Sequence, residues 1–168
     1  VVIPNPYEVH LWERFGRYYT LDGFKNNPVS AWKHYLNIIE RIFSLKDLGF
    51  YRTVKEFVDK GFIQCVLTTG VDCLYRIADI RDLIELHGCI LKICCLENKH
   101  CMYIKDILKE IPPKCCFDGS LMYPAIAFYG EELDYRLWVK AIVEIETADL
   151  VMVGGFDYWD SPSNLLPL

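Results

Sequence analysis

The sequence predicts an α/β fold: a Rossmann-like parallel sheet with helices on both faces, and a small inserted, zinc-ribbon-like module rich in cysteine. Short apolar segments rich in β-formers alternate with longer segments of helical periodicity, an order typical of parallel sheets. Their loops at 68–72, 87–88 and 154–162 are candidate binding loops, because ligands bind at the carboxyl ends of parallel strands. Six of the eight cysteines lie within residues 89–121, the predicted module.

The first part of the chain predicts an irregular segment followed by two helices. Residues 1–26 are rich in proline, tyrosine and glycine and lack a regular pattern. Asn27 suits the cap of a helix whose first turn holds Pro28, because asparagine accepts backbone N–H bonds and proline needs none there. A second helix, 51–61, ends at Gly61, which tolerates the left-handed conformation that closes a helix. The first helix carries an apolar stripe formed by Trp32, Tyr35, Leu36, Ile39 and Phe43.

The rest of the chain predicts strands with helices between them. Residues 62–69 are too short for a buried helix and rich in β-formers, so we expect an interior strand. A short helix is expected over 71–78 and a second strand over 82–88. Beyond the cysteines, the pattern predicts a strand or loop over 123–133, a helix over 135–148 and a strand over 149–155. This alternation is the basis of the predicted parallel sheet.

Composition and charge limit the function classes. Apolar residues make up 52% of the 168 residues and aromatic residues 14%, as expected for a domain with a buried core. No apolar run approaches the roughly 18 residues of a membrane-spanning helix, and no secretory signal is visible, so we expect an intracellular protein without membrane contact. A net charge of −5 argues against direct nucleic-acid binding. In this setting clustered cysteines favour metal over disulfides, with hyperthermophile proteins as the exception.

Five motifs occur in one order along the chain. They are IPNPYEVHLWERF, VLTTGVDCLYRIADIRDLIELHG, the paired cysteines, SLMYPAIAFYGEEL and ADLVMVGGFDYWDSPSNLLPL. This series resembles the sirtuin family of NAD-dependent protein deacylases, in which one strand ends in Thr-Gln-Asn-Ile/Val-Asp and a second in Leu-His-Gly. A four-cysteine zinc module and a Phe-Gly-Glu segment follow in that family. The resemblance covers essentially the whole chain and implies a protein that binds NAD and zinc.

The resemblance implies catalytic and cofactor roles for two residues that follow predicted strands. His87 would be the base that takes a proton from a ribose hydroxyl, since imidazole exchanges protons near neutral pH. Asp72 would bond the carboxamide of nicotinamide. Each residue also has a structural interpretation: His87 as a turn residue bonded to backbone, and Asp72 as the cap of the helix after it. The two interpretations of Asp72 are compatible.

Further cofactor contacts are implied in two glycine-containing loops. Thr69 and Gly70 replace the family's Gln-Asn pair, so we expect a weakened or reshaped nicotinamide pocket, because glycine has no side chain and threonine reaches less far. Paired glycines allow close approach of a phosphate or ribose, but they are also ordinary in a turn. The implied cofactor residues beside Asp72 are Thr69, Gly70, Val71, Gly154, Gly155 and Phe156.

The predicted zinc ligands are Cys95, Cys101, Cys115 and Cys116. Structural zinc sites use two ligand pairs, each separated by two to four residues. By resemblance Cys95 and Cys115 match the first and third ligands, whereas Cys101 widens the first spacing to five residues. Asp118 stands at the expected fourth position and competes with Cys116. The spare donors are Cys94 and His100, and the alternatives to zinc are buried cysteines or a disulfide in place of a lost metal.

Residues 125–131 resemble the edge strand onto which an acyl-lysine peptide adds by β-augmentation, with a buried strand as the alternative. By the same resemblance residues 1–88 and 122–168 form the Rossmann-like core, and residues 89–121 the zinc module. The chain begins after the family's glycine-rich phosphate loop and stops before its last strands. We therefore expect either an excerpt of a longer sequence or an incomplete cofactor site.

The leading functional interpretation is an NAD-dependent protein-lysine deacylase, or the core of one. The family's Asp-Phe-Arg is replaced here by Asn5, Pro6 and Tyr7. These changes favour a second interpretation, a catalytically degenerate sirtuin fold that acts as a structural or interaction subunit of a larger protein assembly. A third is NAD hydrolysis or ADP-ribosyl transfer in the same cleft.

Overall fold

The computed structural model describes residues 16–104 and 110–154, with the Arg17 side chain excepted. A 3-10 helix, Gly16–Tyr19, opens the described part. The helices are α1 (Leu21–Asn26), α2 (Pro28–Ser44), α3 (Gly49–Asp59), α4 (Leu74–Ile77) and α5 (Tyr135–Thr147). The strands are β1 (Val66–Thr68), β2 (Leu83–Glu85), β3 (Gly88–Cys95), β4 (Cys101–Tyr103) and β5 (Met122–Ile126). Within the described ranges, every helix is too short or too polar to cross a membrane.

The strands form two sheets. β1 and β2 are parallel, with Val66 opposite Leu83 and Thr68 opposite Glu85. The second sheet is antiparallel and has the order β4-β3-β5. Because β1 and β2 run in the same direction and in register, the loops that follow them leave the sheet at the same edge. The parallel strands predicted from the alternation of helices and strands are therefore confirmed.

Helix ends follow the local sequence. The Asn27 side chain accepts a hydrogen bond from the Ser30 backbone N–H at 3.2 Å, and Pro28 is the first residue of α2. Gly61 follows α3 with a φ of +74°, in the left-handed region that glycine adopts at low cost. Both predicted signals are confirmed. At α5, the Asp134 carboxylate accepts from the Arg136 N–H at 2.9 Å.

Helix α2 packs its predicted apolar stripe onto the antiparallel sheet, except for Phe43 at the end of the stripe, which is exposed. Trp32 and Tyr35 are fully buried there against Ile93 of β3 and Met122 of β5. The Trp32 Nε1–H donates to the Met122 carbonyl at 2.9 Å, so the indole is both packed and hydrogen-bonded. This contact fixes α2 against β5, the strand that leads to residues 125–131.

Helix α5 covers the parallel pair. Ala141 is fully buried against Ile84 and Leu86, and Leu137 and Cys65 pack at the margin of this smaller cluster. The apolar face of β2 is thereby covered, and its carboxyl end is left to carry the following loop.

Some elements differ from the sequence-based prediction. Residues 16–26, expected to be irregular, form the 3-10 helix and α1, in which Thr20 caps the helix by accepting from the Gly23 N–H at 3.2 Å. The predicted strand over 149–155 is not formed in its described part, 149–154, because no described strand lies beside it to share backbone hydrogen bonds. The division of the chain into a core and a separate module, 89–121, stays a prediction. Strand β3, most of which lies in that range, pairs with β5, which lies outside it.

Candidate functional site

Three segments converge beyond the carboxyl ends of β1 and β2, and we call residues 69–72, 86–88 and 125–128 the loop cluster. The Leu86 N–H donates to the Thr68 carbonyl at 2.9 Å, which extends the parallel pairing by one step. The Ala127 N–H donates to the His87 carbonyl at 2.8 Å and joins the end of β5 to the histidine. The predicted cofactor loop, the predicted base and the predicted peptide segment are therefore neighbours.

His87 is half-buried, and its position is fixed by the glycine that follows it. Gly88 has a φ of +85°, and a Cβ at this position would overlap the backbone carbonyl of Ala125. Only glycine fits both the left-handed conformation and the close approach of β5. The chain can therefore turn sharply after His87 and enter β3, which leaves the imidazole at the corner between the two sheets.

Asp72 has a structural contact close to the cap that was one of its two interpretations, but the N-cap residue of α4 is Cys73. Its Oδ1 accepts from the Leu74 N–H at 2.9 Å at the start of α4. The loop before it is folded tightly, because the Gly70 N–H donates to the Thr68 Oγ1 at 3.0 Å. A Cβ on Gly70 would lie 3.2 Å from that hydroxyl and 3.7 Å from Asp72 Oδ2. The carboxylate thus lies beside the glycine that replaces the family's amide side chain.

The predicted peptide segment begins on an edge strand. In the described part of the chain, β5 pairs with β3 on one side and forms the end of its sheet. Ile126 and Phe128 are buried, whereas Ala125 and Ala127 are partly exposed, as expected for a strand with one face on the core. The turn after β5 is closed by Glu131, whose Oε2 accepts from the Phe128 N–H at 3.0 Å.

The remaining cofactor predictions fall at the end of the described chain. Gly154 is exposed and irregular. Gly155 and Phe156 lie outside the described residues, as do Asn5, Pro6 and Tyr7. The structure therefore brings residues 69–72 and His87 together. Of the other predicted cofactor residues it describes Gly154 alone.

Two of the predicted zinc ligands meet on the antiparallel sheet. Cys95, Cys115 and Asp118 each offer a donor atom, and these atoms lie within 4.8 Å of one another. The backbone N–H of Ser120 and then its hydroxyl donate to Asp118 and lower the pKa of that carboxyl to about 2. The Ser120 hydroxyl, 2.6 Å from the sulfur, also lowers the pKa of the Cys95 thiol. Cys95 and Asp118 are therefore biased toward their anionic, metal-binding forms. At Cys115 the backbone N–H bond from Phe117 is outweighed by burial and by the side-chain hydrogen bonds to Asp118 and Cys95, so the pKa of that thiol is raised. In residue type and spacing the three donors fit three positions of a zinc site.

The other two predicted ligands are not in this group. Cys101 forms a disulfide with Cys94, since the antiparallel register of β3 and β4 puts these two residues opposite each other. Cys116 is exposed and lies outside the three-donor group, as its neighbour Cys115 takes the inward position. The disulfide alternative thus applies to Cys94 and Cys101, and Asp118 takes the place that Cys116 was predicted to fill.

Asn98 belongs to this region and was missed from the sequence. Its backbone N–H donates to the Cys95 sulfur at 3.5 Å, and its Nδ2 donates to the Asp118 carboxylate. Spacing alone offered a signal, because Asn98 follows Cys95 by the same two-residue gap that separates Cys115 from Asp118. Searching for cysteine alone directed the prediction to Cys101.

Parallel strands whose carboxyl-edge loops carry a histidine and an aspartate, joined to a cysteine-bearing antiparallel sheet, define an α/β protein of the Rossmann-like class. The chain belongs to the Sir2 family, whose model matches residues 7–157. An NAD-dependent protein deacylase of Pyrococcus abyssi is 33% identical over 165 residues, which cover 94% of this chain and 66% of that protein. One from Aeropyrum pernix is 30% identical over 160 residues, with 94% and 65% covered. The predicted family is confirmed.

Solved structures give the same result for the fold. A Sir2 homolog in complex with NAD has a TM-score of 0.83 at 28% identity, covering 90% of this chain and 59% of that one. A Sir2–p53 peptide–NAD+ complex has a TM-score of 0.80 at 25% identity, with 89% and 64% covered. The predicted α/β fold is confirmed, and the chain spans slightly less than two thirds of the relatives it matches.

Proposed function

We propose that the protein is an NAD-dependent protein-lysine deacylase, or the core of one, with deacetylation as its reaction. The observation that carries this proposal is the convergence of residues 69–72, His87 and the edge strand β5 at one corner. A base, a carboxylate and an open strand edge are the parts that such a reaction needs from the chain. The named relatives are NAD-dependent protein deacylases, which supports the same activity here.

His87 is the base of the proposed mechanism. Bound NAD would supply an electrophilic ribose carbon, reached by the acyl oxygen of the substrate. The imidazole would take a proton from a ribose hydroxyl of that cofactor, a role suited to neutral pH and to a side chain held at a strand end. The bond from Ala127 to the His87 carbonyl and the turn at Gly88 keep the ring from drifting out of the corner.

Asp72 and its loop form the cofactor side of the site. A carboxylate oxygen accepts hydrogen bonds, so Asp72 recognises the N–H groups of a carboxamide while its Oδ1 still accepts from the Leu74 N–H. Thr69, Gly70 and Val71 line this side, with Gly154 and its neighbours as the second loop. Because position 70 has no amide side chain, the affinity for the cofactor depends more on Asp72 here than it would in a chain with the Gln-Asn pair.

The acyl-lysine peptide is proposed to bind along residues 125–131. An extended peptide can pair with the outer edge of β5 through backbone hydrogen bonds, while the small Ala125 and Ala127 leave room for it. A Sir2 structure with a propionylated peptide has a TM-score of 0.81 to this chain, which supports a peptide as the substrate class.

The deciding experiment combines calorimetry with NAD and a deacetylation assay on an acetyl-lysine peptide. His87→Ala should lower turnover by about 10²–10⁴-fold, the usual contribution of a positioned base, and leave the melting temperature unchanged. His100→Ala is the matched control and should keep its activity. It removes a half-buried imidazole beside the antiparallel sheet β4-β3-β5, which we call the cysteine-rich sheet. Equal loss in both variants would contradict the role of His87.

The same experiment separates the alternatives. Folded protein that gives no heat with NAD would favour the degenerate, structural-subunit function, for which the substitutions at Thr69 and Gly70 speak. Nicotinamide release without any acyl peptide would favour NAD hydrolysis. An intracellular location and a larger protein assembly belong to the proposal and are tested by localisation of the full-length protein and by its co-purified partners.

We further propose that Cys95, Cys115 and Asp118 hold one zinc ion that stabilises the antiparallel sheet. Asn98 and Ser120 position these ligands through the hydrogen bonds described above. Metal analysis of the folded chain should find one equivalent, and Cys95→Ser/Cys115→Ser should lose it. Cys116→Ser, a matched change at an exposed neighbouring cysteine, should keep it. Less than half an equivalent in the folded wild type would contradict the proposal.

A further inference from the structure

The Cys73–Cys89 disulfide joins the residues that directly follow two segments of the loop cluster, 69–72 and 86–88. Cys73 directly follows Asp72, and Cys89 is the second residue of β3. Both cysteines are buried, with exposed fractions of 2% and 5%, and their Cα atoms are 5.6 Å apart. Beside the disulfide, the Ile90 N–H donates to the Val71 carbonyl at 2.9 Å. This backbone bond keeps the two cysteines together when the disulfide is open.

Glu85 adds a carboxylate to the two sulfurs. One of its oxygens and the sulfurs of Cys73 and Cys89 lie within 4.8 Å of one another, and all three residues are buried. Glu85 Oε2 forms an ion pair with the Arg76 guanidinium at 2.5 Å. Glu85 Oε1 is buried and has no hydrogen-bond partner among the residues that the structure describes. A buried carboxylate oxygen of this kind indicates a missing ion or water.

We propose that Cys73, Cys89 and Glu85 form a second metal site, which binds a thiophilic divalent cation such as zinc when the disulfide between the two cysteines is reduced. Thiolate sulfur and carboxylate oxygen are ligands that zinc takes. Two thiolates and Glu85 carry three negative charges, of which Arg76 balances one and the cation two. The cation gives the Glu85 carboxylate a second partner beside Arg76, and the site becomes neutral. This site does not depend on the proposed deacylase activity.

The redox step is ordinary thiol–disulfide exchange with an external dithiol. One thiolate of the reagent attacks a protein sulfur, the Cys73–Cys89 bond breaks, and the other cysteine leaves as a thiolate. The second thiol of the reagent resolves the mixed disulfide and releases the first cysteine. The reagent, oxidised to its own disulfide, has supplied two electrons and two protons, and the cation displaces both protons when it binds.

Two cavities give access to this disulfide. One of about 390 Å³ is lined by Cys73 and by apolar residues of α2, α4 and β3, and one of about 240 Å³ is lined by Cys89 and Glu85. Arg76 and Tyr103 line both cavities. Each cysteine thus forms part of a cavity wall, which is the route by which a small reductant and a cation would approach the buried disulfide.

The test is a titration of the whole chain with Zn²⁺ after removal of bound metal, with and without prior reduction. A phosphine is used as the reductant and then removed; with one water it becomes the phosphine oxide and leaves two thiols. Reduced wild type should bind one equivalent more than oxidised wild type. Equal zinc content in the two states overturns the proposal.

Variants assign the additional equivalent to its residues. Cys73→Ser/Cys89→Ser should lose it, and Cys94→Ser/Cys101→Ser, which removes the other disulfide, should keep it. Cys95→Ser/Cys115→Ser should also keep it. Glu85→Gln should weaken it by at least about tenfold, the lower bound for loss of a group that only supports a ligand. Retention of the redox-dependent equivalent in Cys73→Ser/Cys89→Ser would show that the site lies elsewhere.

A measurement on the native sequence covers variants that fail to fold. Reduced wild type is alkylated with and without Zn²⁺, and the modified cysteines are located by mass spectrometry. Zinc should slow the modification of Cys73 and Cys89 at least tenfold and leave the exposed Cys116 unchanged. Unprotected Cys73 and Cys89 in the presence of bound zinc would overturn the proposal.

Discussion

The loop cluster and the cysteine-rich sheet both depart from the family pattern, but different kinds of contact hold the two regions together. At the loop cluster, Thr69 and Gly70 replace an amide pair, yet the chain path is kept by main-chain bonds and by the turn at Gly88. His87 and Asp72 consequently stay at their corner. The positions of these loops therefore depend on main-chain contacts and not on the side chains at positions 69 and 70.

In the cysteine-rich sheet the side chains themselves make the connections. The Asn98 side chain donates to the Asp118 carboxylate, and the Cys94–Cys101 disulfide closes the β3–β4 connection. The comparison teaches that a site defined by backbone geometry tolerates side-chain replacement. A site defined by side-chain chemistry acquires different partners.

The strongest test of this contrast is Gly88→Ala, which attacks the backbone of the loop cluster. The new methyl group would overlap the Ala125 carbonyl and force an L-residue into the left-handed region. We expect a loss of about 2–5 kcal/mol in the free energy of unfolding, from backbone strain and overpacking together. Urea denaturation followed by circular dichroism measures it.

Gly61→Ala is the matched control for this prediction. Gly61 also has a positive φ, but no atom lies within 4 Å of a Cβ built there. Its alanine variant should lose only the conformational part, about 1–2 kcal/mol. If both variants were destabilised to the same extent, the backbone contact with Ala125 would have no special importance.

The same contrast explains which features could be predicted from the sequence. The helix start at Asn27 and Pro28 and the left-handed Gly61 follow from local rules, and His87 and Asp72 follow from the order of motifs. The pairing of Cys94 with Cys101 follows from the β3–β4 register, which depends on tertiary hydrogen bonds that no local pattern contains. The Cys94–Cys101 pairing was therefore outside the reach of sequence patterns, whereas the spacing of Asn98 from Cys95 was within it.

The next prediction concerns the disulfide of the cysteine-rich sheet. Cys94→Ser/Cys101→Ser should lower the free energy of unfolding by about 2–3 kcal/mol, because closing a short loop removes chain entropy from the unfolded state. The loss should disappear when wild type and variant are compared under reduction. Cys116→Ser, at an exposed free cysteine, should be neutral in both conditions. A deficit that persists after reduction would point to packing instead of the cross-link.

A smaller effect is expected from restoring the amide pair in the loop cluster. Thr69→Gln/Gly70→Asn returns two side chains that bind amides to a backbone that is already in position. Each added hydrogen bond is worth about 0.5–1.5 kcal/mol, so we expect a gain of about 2–10-fold per bond in NAD affinity by calorimetry. Thr69→Ala/Gly70→Ala, which adds no amide, should give no gain. If it improved binding equally, the gain would come from loop stiffness and not from recognition.

The smallest predicted effect uses a thiol at the base of the parallel pair. Burial, followed by the nearby Glu144 carboxylate, raises the pKa of Cys65 to about 11. The unfolded thiol titrates near 9.0, so between these values the folded state holds a proton that the unfolded state has lost. Stability should therefore be complete below pH 9 and fall as the pH rises toward 11, which urea midpoints at several pH values will show.

Cys65→Val isolates this contribution from the buried tyrosines, whose pKa values are also raised. Tyr35 and Tyr19, both shifted mainly by burial, lose stability in the same alkaline range in wild type and variant. The difference in free energy of unfolding between wild type and variant then reports Cys65 alone. It should be constant below pH 9. Above pH 9, wild type should lose stability relative to the variant. In the same range the exposed Cys116 should react with iodoacetamide well before Cys65. Parallel stability profiles, or equal rates of alkylation, would contradict this prediction. Either result would mean that the small cluster of Ile84, Leu86 and Ala141 does not shield Cys65 from water.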